Sequence, residues 1–353
     1  MNVAFYIFST TNLQDMNPII YEALSSGYNC WIAFFDITTK KRQLFYYENQ
    51  ELTNYILKNF PNSKDLAKCN LYKQDQKKVY ESDYKIFKPD VVIVQEIKPS
   101  FTTWYPKVTC KVLHLAWWDE SHHLSNNNNI KVDYTSLKRS SDKKYYENYK
   151  TVYLGDLREE QVKWVEERKN KQKVCFIPET YIRKVSSNEN VNKILISFYE
   201  KLLNYLRSQN IKVVWKKREK GYPKEKWASP LDYTKAQPDV IIEKDLNFPT
   251  SMIREAYLAD FCLVIDDSFA FFDIIKANTN SYILTLNKQR AHKITNHFSE
   301  FSKNIIDVNK TGTSELLWNK ILDISKQDNN ISKKIIKSDN NSSKKIIEFI
   351  SNM

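Results

Sequence analysis

The sequence predicts an α/β protein in which two Rossmann-like domains face a cleft. Strands alternate with helices along the chain, and the strands are short apolar runs, which is typical of a parallel sheet buried on both faces. The alternation restarts after a charged helical segment at 158–172, so a second domain is expected to begin near residue 173. A chain of 353 residues is long enough to form two such domains.

The first half opens with a strand, a helix and a second strand. VAFYIFS (3–9) and NCWIAFFD (29–36) are the strands, and residues 17–26 between them place apolar side chains at helical spacing before Gly27. The following segments are predicted as a helix at 51–60, strands at 88–96 and 110–120, a loop or mobile insert at 121–150, a strand at 151–156 and a helix at 158–172.

The second half repeats the scheme. Its most regular element is an amphipathic helix at 192–210, and its most apolar strand is FCLVID (261–266). The remaining strands are predicted at 239–243 and 281–286, with a strand followed by a basic turn at 211–219 and either a strand or the crossing segment between domains at 173–179. Helices are predicted at 249–260 and from residue 268, and helical segments at 311–350. The predicted domains are therefore 1–172 and 173–313, followed by C-terminal helices at 314–353.

Composition limits the classes of partner and the compartment. The net charge of +12 would suit a polyanionic partner, but the chain shows no nucleic-acid-binding motif, so ordinary surface lysines are the preferred explanation. Five cysteines are scattered without a CxxC pair, which favours buried thiols over disulfides or zinc. No apolar run approaches the ~18 residues of a membrane span, and no signal peptide is evident. We therefore predict a cytoplasmic protein.

Glycine is rare enough to exclude two phosphate-binding loops. The chain has four glycines, Gly27, Gly155, Gly221 and Gly312, so neither GxGxxG nor GxxxxGK[ST] can occur. A phosphate group would have to be bound by helix N-termini and basic side chains instead.

A polar turn separates the strand at 261–266 from the next helix. Asp266, Asp267 and Ser268 occupy this turn, and Ser268 can cap a helix that begins at Phe269. A helix N-terminus at the carboxyl end of a parallel strand is where open α/β sheets bind ligands, and its dipole favours phosphate. The alternative is an ordinary helix cap with a solvated Asp267.

A basic run follows the predicted strand IKVVW (211–215). Lys216, Lys217 and Arg218 lie at a predicted carboxyl strand end, the same edge as the Asp266 turn, where they can neutralise a diphosphate. The alternative is a solvated run of charges.

The segment 192–286 resembles the C-terminal half of GT-B glycosyltransferases, and most of all the CDP-glycerol glycerophosphotransferases that build surface polymers. Ala259 and Asp260 precede the strand as in that group. Its D-Y-S-S-x-x-F-D block is matched at Asp266, Ser268, Phe272 and Asp273, with Asp267 and Phe269 at the positions of the tyrosine and the second serine. The family's upstream lysine and His-Pro block is replaced by the basic run without a histidine. The resemblance therefore favours a nucleotide-sugar glycosyltransferase over glycerol-phosphate transfer.

The resemblance also implies a division of roles. The C-terminal domain would bind the nucleotide donor, and the N-terminal domain the acceptor, a glycan or a lipid-linked molecule of surface polysaccharide synthesis. The C-terminal helices would pack back across the hinge. No metal ion or cofactor is expected. The donor-binding candidates are Lys216, Lys217, Arg218, Asp266, Asp267, Ser268, Phe269 and Asp273.

The catalytic candidates lie in HLAWWDESHH (114–123). Asp119, Glu120 and His122 follow the strand at its carboxyl end, where a base could take a proton from an acceptor hydroxyl. His114 lies inside the apolar run and is expected to be structural. Two alternatives stay open: a CDP-polyol phosphotransferase of the teichoic-acid type, and a non-catalytic nucleotide-sugar-binding protein of the same fold.

The C-terminal segment 331–350 combines five lysines with apolar isoleucine faces. It is expected to form a terminal helix packed on the protein. The alternative is weak, peripheral docking to an anionic inner membrane leaflet, at about 1 kcal/mol per lysine.

Overall fold

The computed structural model describes most of both halves of the chain. The described residues are 1–8, 10–35, 69–72, 77–95, 108–116, 131–138, 140–169, 172–180, 182–183, 189–217, 227–243, 249–266, 270–286, 299–308, 315–327 and 341–353. Contacts divide the chain into a first unit, Met1–Glu160 with Asn340–Met353, and a second unit, Gln161–Asp339. This division describes contacts within the folded chain. The predicted domains, which meet near residue 173, are regions expected to fold separately, and their boundary stays a prediction.

The described part of the first unit contains a parallel seven-stranded sheet in the order β3-β2-β1-β4-β5-β6-β7. Its strands are β1 (Asn2–Ile7), β2 (Asn29–Phe35), β3 (Cys69–Tyr72), β4 (Val91–Val94), β5 (Lys111–Leu115), β6 (Tyr134–Leu137) and β7 (Thr151–Tyr153). The helices are α1 (Thr10–Ser25), α2 (Lys77–Phe87) and α3 (Leu157–Glu160), with a 3₁₀ helix at Ser140–Tyr145.

The described part of the second unit contains a parallel six-stranded sheet in the order β12-β10-β8-β13-β14-β15, and β9 pairs antiparallel with β11. The strands are β8 (Val174–Pro178), β9 (Ile182–Arg183), β10 (Lys212–Lys216), β11 (Trp227–Ala228), β12 (Val240–Ile242), β13 (Phe261–Ile265), β14 (Ser281–Thr285) and β15 (Ile305–Asp307). The helices are α4 (Glu189–Ser208), α5 (Ser251–Leu258), α6 (Ala270–Ala277) and α7 (Glu315–Lys326), with 3₁₀ helices at Gln161–Trp164, Pro230–Asp232 and Ser299–Asn304.

Both sheets have the strand order of a Rossmann fold. When the main-sheet strands are counted within each unit, both sheets read 3-2-1-4-5-6, with one further strand in the first unit. The predicted fold class, α/β with two Rossmann-like domains, is confirmed.

The last helix of the chain, α8 (Ser342–Ser351), packs on α1 of the first unit. Its apolar face of Ile346, Ile347 and Ile350 is buried there. Its N-terminus is capped by Glu160, whose carboxylate accepts hydrogen bonds from the Ser343 N–H at 2.6 Å and hydroxyl at 2.8 Å. The isoleucines of 346–350 therefore contact protein, which leaves the lysines as the part of this helix that could face a membrane.

Aspartates at the amino ends of strands fix the register of both sheets. Each directly precedes a strand, and its carboxylate accepts the backbone N–H of a residue at the start of the neighbouring strand. The four bonds are Asp90 to Asn2 at 2.7 Å, Asp133 to Val112 at 2.9 Å, Asp239 to Val213 at 2.7 Å and Asp260 to Val174 at 2.7 Å. A slip of one residue would break such a bond and reverse the faces of the strand.

Two segments differ from their sequence-based predictions. The helix predicted over 158–172 ends early, because α3 passes into a 3₁₀ helix and 165–169 are not helical. Two of its charged residues, Arg158 and Glu160, are buried and bind other elements. The segment 121–150, predicted as a loop, contains β6 and a 3₁₀ helix. The strand was missed because β6 is partly polar and has no apolar run. The helix predicted at 51–60 lies outside the described residues.

Four cysteines whose side chains the structure describes are unpaired thiols of unequal exposure. Cys30, Cys175 and Cys262 are buried and Cys110 is half-buried, which confirms the prediction of buried thiols for the first three. Burial raises the pKa of the Cys30 thiol to about 12. It also raises the pKa of Cys175, to which the neighbouring Cys262 and Asp260 add.

We expect alkylation of the native protein at pH 8 to modify Cys110 well before Cys30, Cys175 and Cys262, because these three thiols are buried and shielded from the reagent whereas Cys110 is half-buried. A thiol reacts as its thiolate, and burial raises the pKa of Cys30 and Cys175; it raises the pKa of Cys110 too, so the order of labelling follows from access to the reagent. Mass spectrometry of peptides, before and after unfolding in urea, measures the order. Rapid labelling of Cys175 in the native protein would contradict the packing described above.

Candidate functional site

Each sheet has one place where its strand order changes direction. This topological switch point lies between β1 and β4 in the first unit and between β8 and β13 in the second. The connections leave the two strands in opposite directions there, and open α/β proteins bind their ligands at the carboxyl ends of such strands. Each unit therefore has one expected position for a site.

At the switch point of the second unit the strand ladder stops early. Within the described residues β8 and β13 pair at two positions, Cys175 with Phe261 and Phe176 with Cys262, although both strands continue beyond them. A side chain connects the strands at their carboxyl ends, where the Thr180 hydroxyl donates to the Ile265 carbonyl at 2.7 Å. Between the Phe176–Cys262 pair and the Thr180–Ile265 bond, the backbones of β8 and β13 are therefore not paired with each other.

Asp266 makes the turn that follows β13. Its φ of 57° lies in the left-handed region, which aspartate tolerates better than most residues. Its N–H donates to the Leu284 carbonyl at 2.9 Å, and its carboxylate accepts the Leu286 N–H at 3.0 Å. Asp266 thus holds the end of β13 against the end of β14, and the next described element is α6. Asp273 is buried in the first turn of that helix.

The two described lysines of the basic run are held by Glu243. The Lys216 ammonium donates to the backbone carbonyls of Glu243 at 3.0 Å and Lys217 at 3.3 Å, and the Lys217 ammonium forms an ion pair with the Glu243 carboxylate at 3.1 Å. Sequence reasoning missed Glu243, which directly follows the strand DVII (239–242). The lysines therefore lie at the carboxyl edge of the second sheet, and their contact with a diphosphate stays a prediction.

Two further polar residues, Glu179 after β8 and Tyr199 of α4, lie near this switch point. Glu179 is buried, and its N–H donates to the Lys216 carbonyl at 2.9 Å. Tyr199 of α4 is buried nearby. Burial raises the pKa of Tyr199, the Thr180 hydroxyl opposes this rise by hydrogen bonding, and the charges of Asp266 and Glu179 add to it. The signal available in the sequence was the pair Glu179-Thr180 directly after the strand that opens the second half.

At the switch point of the first unit the strand ends are joined by a buried polar chain. The Phe8 N–H donates to the Asn12 side-chain oxygen at 3.3 Å, and the Asn12 amide nitrogen donates to the Gln95 side-chain oxygen at 3.1 Å. The Gln95 amide nitrogen donates to Asp15 at 2.8 Å. Arg158 completes the chain with two bonds to the Asp15 carboxylate, at 2.6 and 2.9 Å.

The predicted structural role of His114 agrees with its position in this unit. His114 is buried in β5, and its Nε2 lies 3.1 Å from the Gln95 backbone carbonyl. A carbonyl can only accept, so Nε2 carries the proton.

Several predicted site residues lie outside the described residues and stay predictions. These are Asp119, Glu120, His122, Arg218, Asp267, Ser268 and Phe269.

The described residues contain no group of three or more His, Cys, Asp or Glu side chains that could hold a metal ion. Among the helices in the described ranges, none has the length and apolar character that crossing a membrane requires.

Comparison with known proteins identifies the fold. Protein-family models give no match, and the curated proteins give no match. Solved structures similar to the chain include a UDP-N-acetylglucosamine 2-epimerase of Listeria monocytogenes, with 11% identity, a TM-score of 0.59 and coverage of 99% of this chain and 95% of that one. MnaA of S. aureus, solved with UDP, has 13% identity and a TM-score of 0.56 over 100% and 96% of the two chains.

A glycosyltransferase is also among the similar structures. The spinosyn forosaminyltransferase SpnP has 8% identity and a TM-score of 0.52, with coverage of 100% of this chain and 98% of that one. At these identities the likeness shows the fold alone. The fold is of the GT-B type, with two Rossmann-like units, as the resemblance in 192–286 implied.

Proposed function

We propose that this protein is a glycosyltransferase that moves a sugar from a nucleotide-diphosphate donor to a glycan or lipid-linked acceptor in surface polysaccharide synthesis. The observation that supports it is the switch point of the second unit. There the ladder between β8 and β13 stops after two pairs, at the sheet edge that also carries Lys216, Lys217 and the Asp266 turn. A GT-B fold with polar and basic groups at this edge suits a nucleotide-diphosphate donor.

Lys217 and the N-terminus of α6 would each bind the donor in a different way. A lysine ammonium has three donors, so Lys217 can bind a phosphate oxygen while it contacts Glu243. The next described element after the Asp266 turn is α6, whose N-terminal dipole favours negative charge. Arg218 and Ser268 would add a bidentate cation and a helix cap, and Asp267, Phe269 and Asp273 would complete the donor side.

The acceptor side requires a base. As the acceptor oxygen bonds to the anomeric carbon, the nucleoside diphosphate leaves with the electron pair of the broken C–O bond, and the hydroxyl proton passes to the base. Asp119, Glu120 and His122 are the proposed residues for this step. The reaction would take place in the cytoplasm. Peripheral contact with an anionic inner leaflet would depend on the C-terminal lysines, because Ile346, Ile347 and Ile350 are buried.

A second candidate is a nucleotide-sugar epimerase. Two UDP-N-acetylglucosamine 2-epimerase structures match this chain with TM-scores of 0.59 and 0.55, above the 0.52 of the forosaminyltransferase. An epimerase would use the same type of donor and release no sugar to an acceptor. A CDP-polyol phosphotransferase and a non-catalytic binding protein are the other two alternatives.

We expect a thermal-shift screen with UDP-, GDP-, ADP- and CDP-linked donors to identify at least one ligand that raises the melting temperature, since a ligand that binds the folded state stabilises it. Lys217→Met should weaken the binding of that donor about 10- to 100-fold, as expected for the loss of a charge-assisted hydrogen bond. Lys212→Met is the matched control, because Lys212 lies at the opposite end of β10.

Product analysis then separates the candidates. Release of the nucleoside diphosphate with an acceptor extract supports transfer, and conversion of the sugar without such release supports epimerisation. Turnover of CDP-polyols alone supports the phosphotransferase, and binding without turnover supports the binding protein. If no donor shifts the melting temperature, the enzyme proposals fail. Equal affinities of Lys217→Met and the wild type would remove Lys217 from the donor site.

A further inference from the structure

The buried polar chain of the first unit has a fixed direction. The Phe8 N–H can only donate, so the Asn12 oxygen faces it and the Asn12 amide nitrogen faces Gln95. The Gln95 oxygen accepts that bond, which leaves its amide nitrogen to donate to the Asp15 carboxylate. The orientation of both amide side chains therefore follows from the two ends of the chain, an N–H that must donate and a carboxylate that must accept.

Gln95 is the residue through which this chain connects four elements. It directly follows β4, and its side chain contacts Asn12 and Asp15, which lie in the first two turns of α1. Through Asn12 it reaches Phe8, which directly follows β1, and its backbone carbonyl accepts from His114 of β5. The Gln95 side chain thus fixes the first turns of α1 against the carboxyl ends of β1 and β4, and its backbone carbonyl adds the contact with β5.

The cost of burying this chain suggests that its geometry is important. Gln95, Asn12 and Asp15 are each at most 2% exposed, so their polar atoms have been removed from water. An apolar set of side chains would avoid that cost, whereas a fully connected polar network holds one arrangement of the backbone. The network lies at the switch point, the edge where a ligand of the first unit is expected.

We propose that Gln95 is a positioning residue for the acceptor step of the transfer reaction. This inference rests on the proposed function, in which the first unit binds the acceptor, and adds to it a residue at the switch point between β1 and β4 that positions the reacting groups. The acceptor is a sugar or lipid-linked hydroxyl compound. Gln95 acts through Asn12 and the first turns of α1, and it does not contact the substrate itself.

Gln95→Met tests the proposal, because methionine keeps the length of the side chain and removes its hydrogen bonds. We expect kcat for transfer to fall about 10- to 100-fold, the loss that follows small misplacements of reacting groups. The donor KM and the donor-induced thermal shift should stay unchanged, since the donor groups belong to the second unit. Thr135→Val is the matched control, because it removes a buried hydroxyl from β6 of the same sheet.

Gln95→Glu provides a second variant with a pH readout. A glutamate at this position must be protonated to donate to Asp15, as the amide does. The kcat of Gln95→Glu relative to wild type should therefore rise as the pH falls, and that of Gln95→Met should not. In the described residues the charged or titratable groups that face position 95 are Asp15 on α1, Arg158 on α3 and His114 on β5.

The outcomes separate this inference from the proposed function. If the wild type turns over no donor, both fail. If the wild type transfers sugar and both Gln95 variants keep its kcat and pH profile, this inference alone is overturned, whatever their stability. If Gln95→Met does not fold, the pH profile of Gln95→Glu tests the inference instead. A ratio of the Gln95→Glu kcat to the wild-type kcat that does not change with pH would then contradict the inference.

Discussion

Asp15→Ala is expected to lower the free energy of unfolding of the first unit by about 3–5 kcal/mol, the cost of breaking a buried ion pair by removing one partner. The Arg158 guanidinium makes two bonds to Asp15, and both side chains are largely buried. Without the carboxylate, a buried positive charge loses both bonds. Urea unfolding measured by hydrogen exchange in peptides from β1 and β4 reports on this unit alone.

The double variant Asp15→Ala/Arg158→Met is the control for this prediction. It removes both charges of this ion pair, so Arg158 no longer buries a charge without Asp15, and it should recover part of the lost stability. If Asp15→Ala unfolds at the same urea concentration as the wild type, the ion pair does not stabilise the first unit.

Gly155→Ala should detach the C-terminal helix α8 from the first unit. Gly155 has a φ of 98°, which costs an alanine about 1–2 kcal/mol. A Cβ at this position would also overlap the Ser342 hydroxyl and lie 3.1 Å from the Ser342 Cβ, in the first turn of α8, which adds about 1–3 kcal/mol of overpacking. Faster hydrogen exchange of the amides in 342–351, and earlier proteolysis there, would measure the loss.

Gly27→Ala separates the two causes. Gly27 has a φ of 75°, but a Cβ there would have no atom within 4 Å, so it carries the backbone cost without the overlap. Gly155→Ala/Ser342→Gly should restore protection of α8 in part, because it removes the overlapping atoms. Equal exchange rates of α8 in Gly27→Ala and Gly155→Ala would show that the contact with Ser342 does not matter.

The fold was predictable from the sequence wherever buried elements are continuous runs of apolar residues. Strands covered on both faces, such as β1, β4 and β13, are apolar runs, and the turn after β13 was located because its polar residues interrupt two such runs. The strand β6 was missed because YTSL is half polar, although Thr135 and Ser136 are buried. The aspartate before it was a usable signal, since Asp90, Asp239 and Asp260 precede strands in the same way.

The candidate sites were less predictable because their contacts join distant parts of the chain. Asp15 and Arg158 are 143 positions apart, and Gln95 and Asp15 are 80 apart, so no local pattern links them. Lys216 and Lys217 were located at the correct sheet edge, but their shared partner Glu243 directly follows another strand, β12. The left-handed conformation of Asp266 has no sequence mark, since glycine is the residue that normally indicates such a turn.

The packing of α8 on α1 has a consequence for biosynthesis. Translation proceeds from the N-terminus, so the ribosome must synthesise Gln161–Asp339 before the helix that covers α1 can leave the exit tunnel. At bacterial-type rates of roughly 5–20 residues per second, the nascent first unit would wait on the order of ten seconds or more with that apolar surface uncovered. The last helix belongs to the first unit, whereas the second unit, Gln161–Asp339, is synthesised completely before that helix. A nascent chain stalled before residue 342 would therefore present chaperones with an exposed α1.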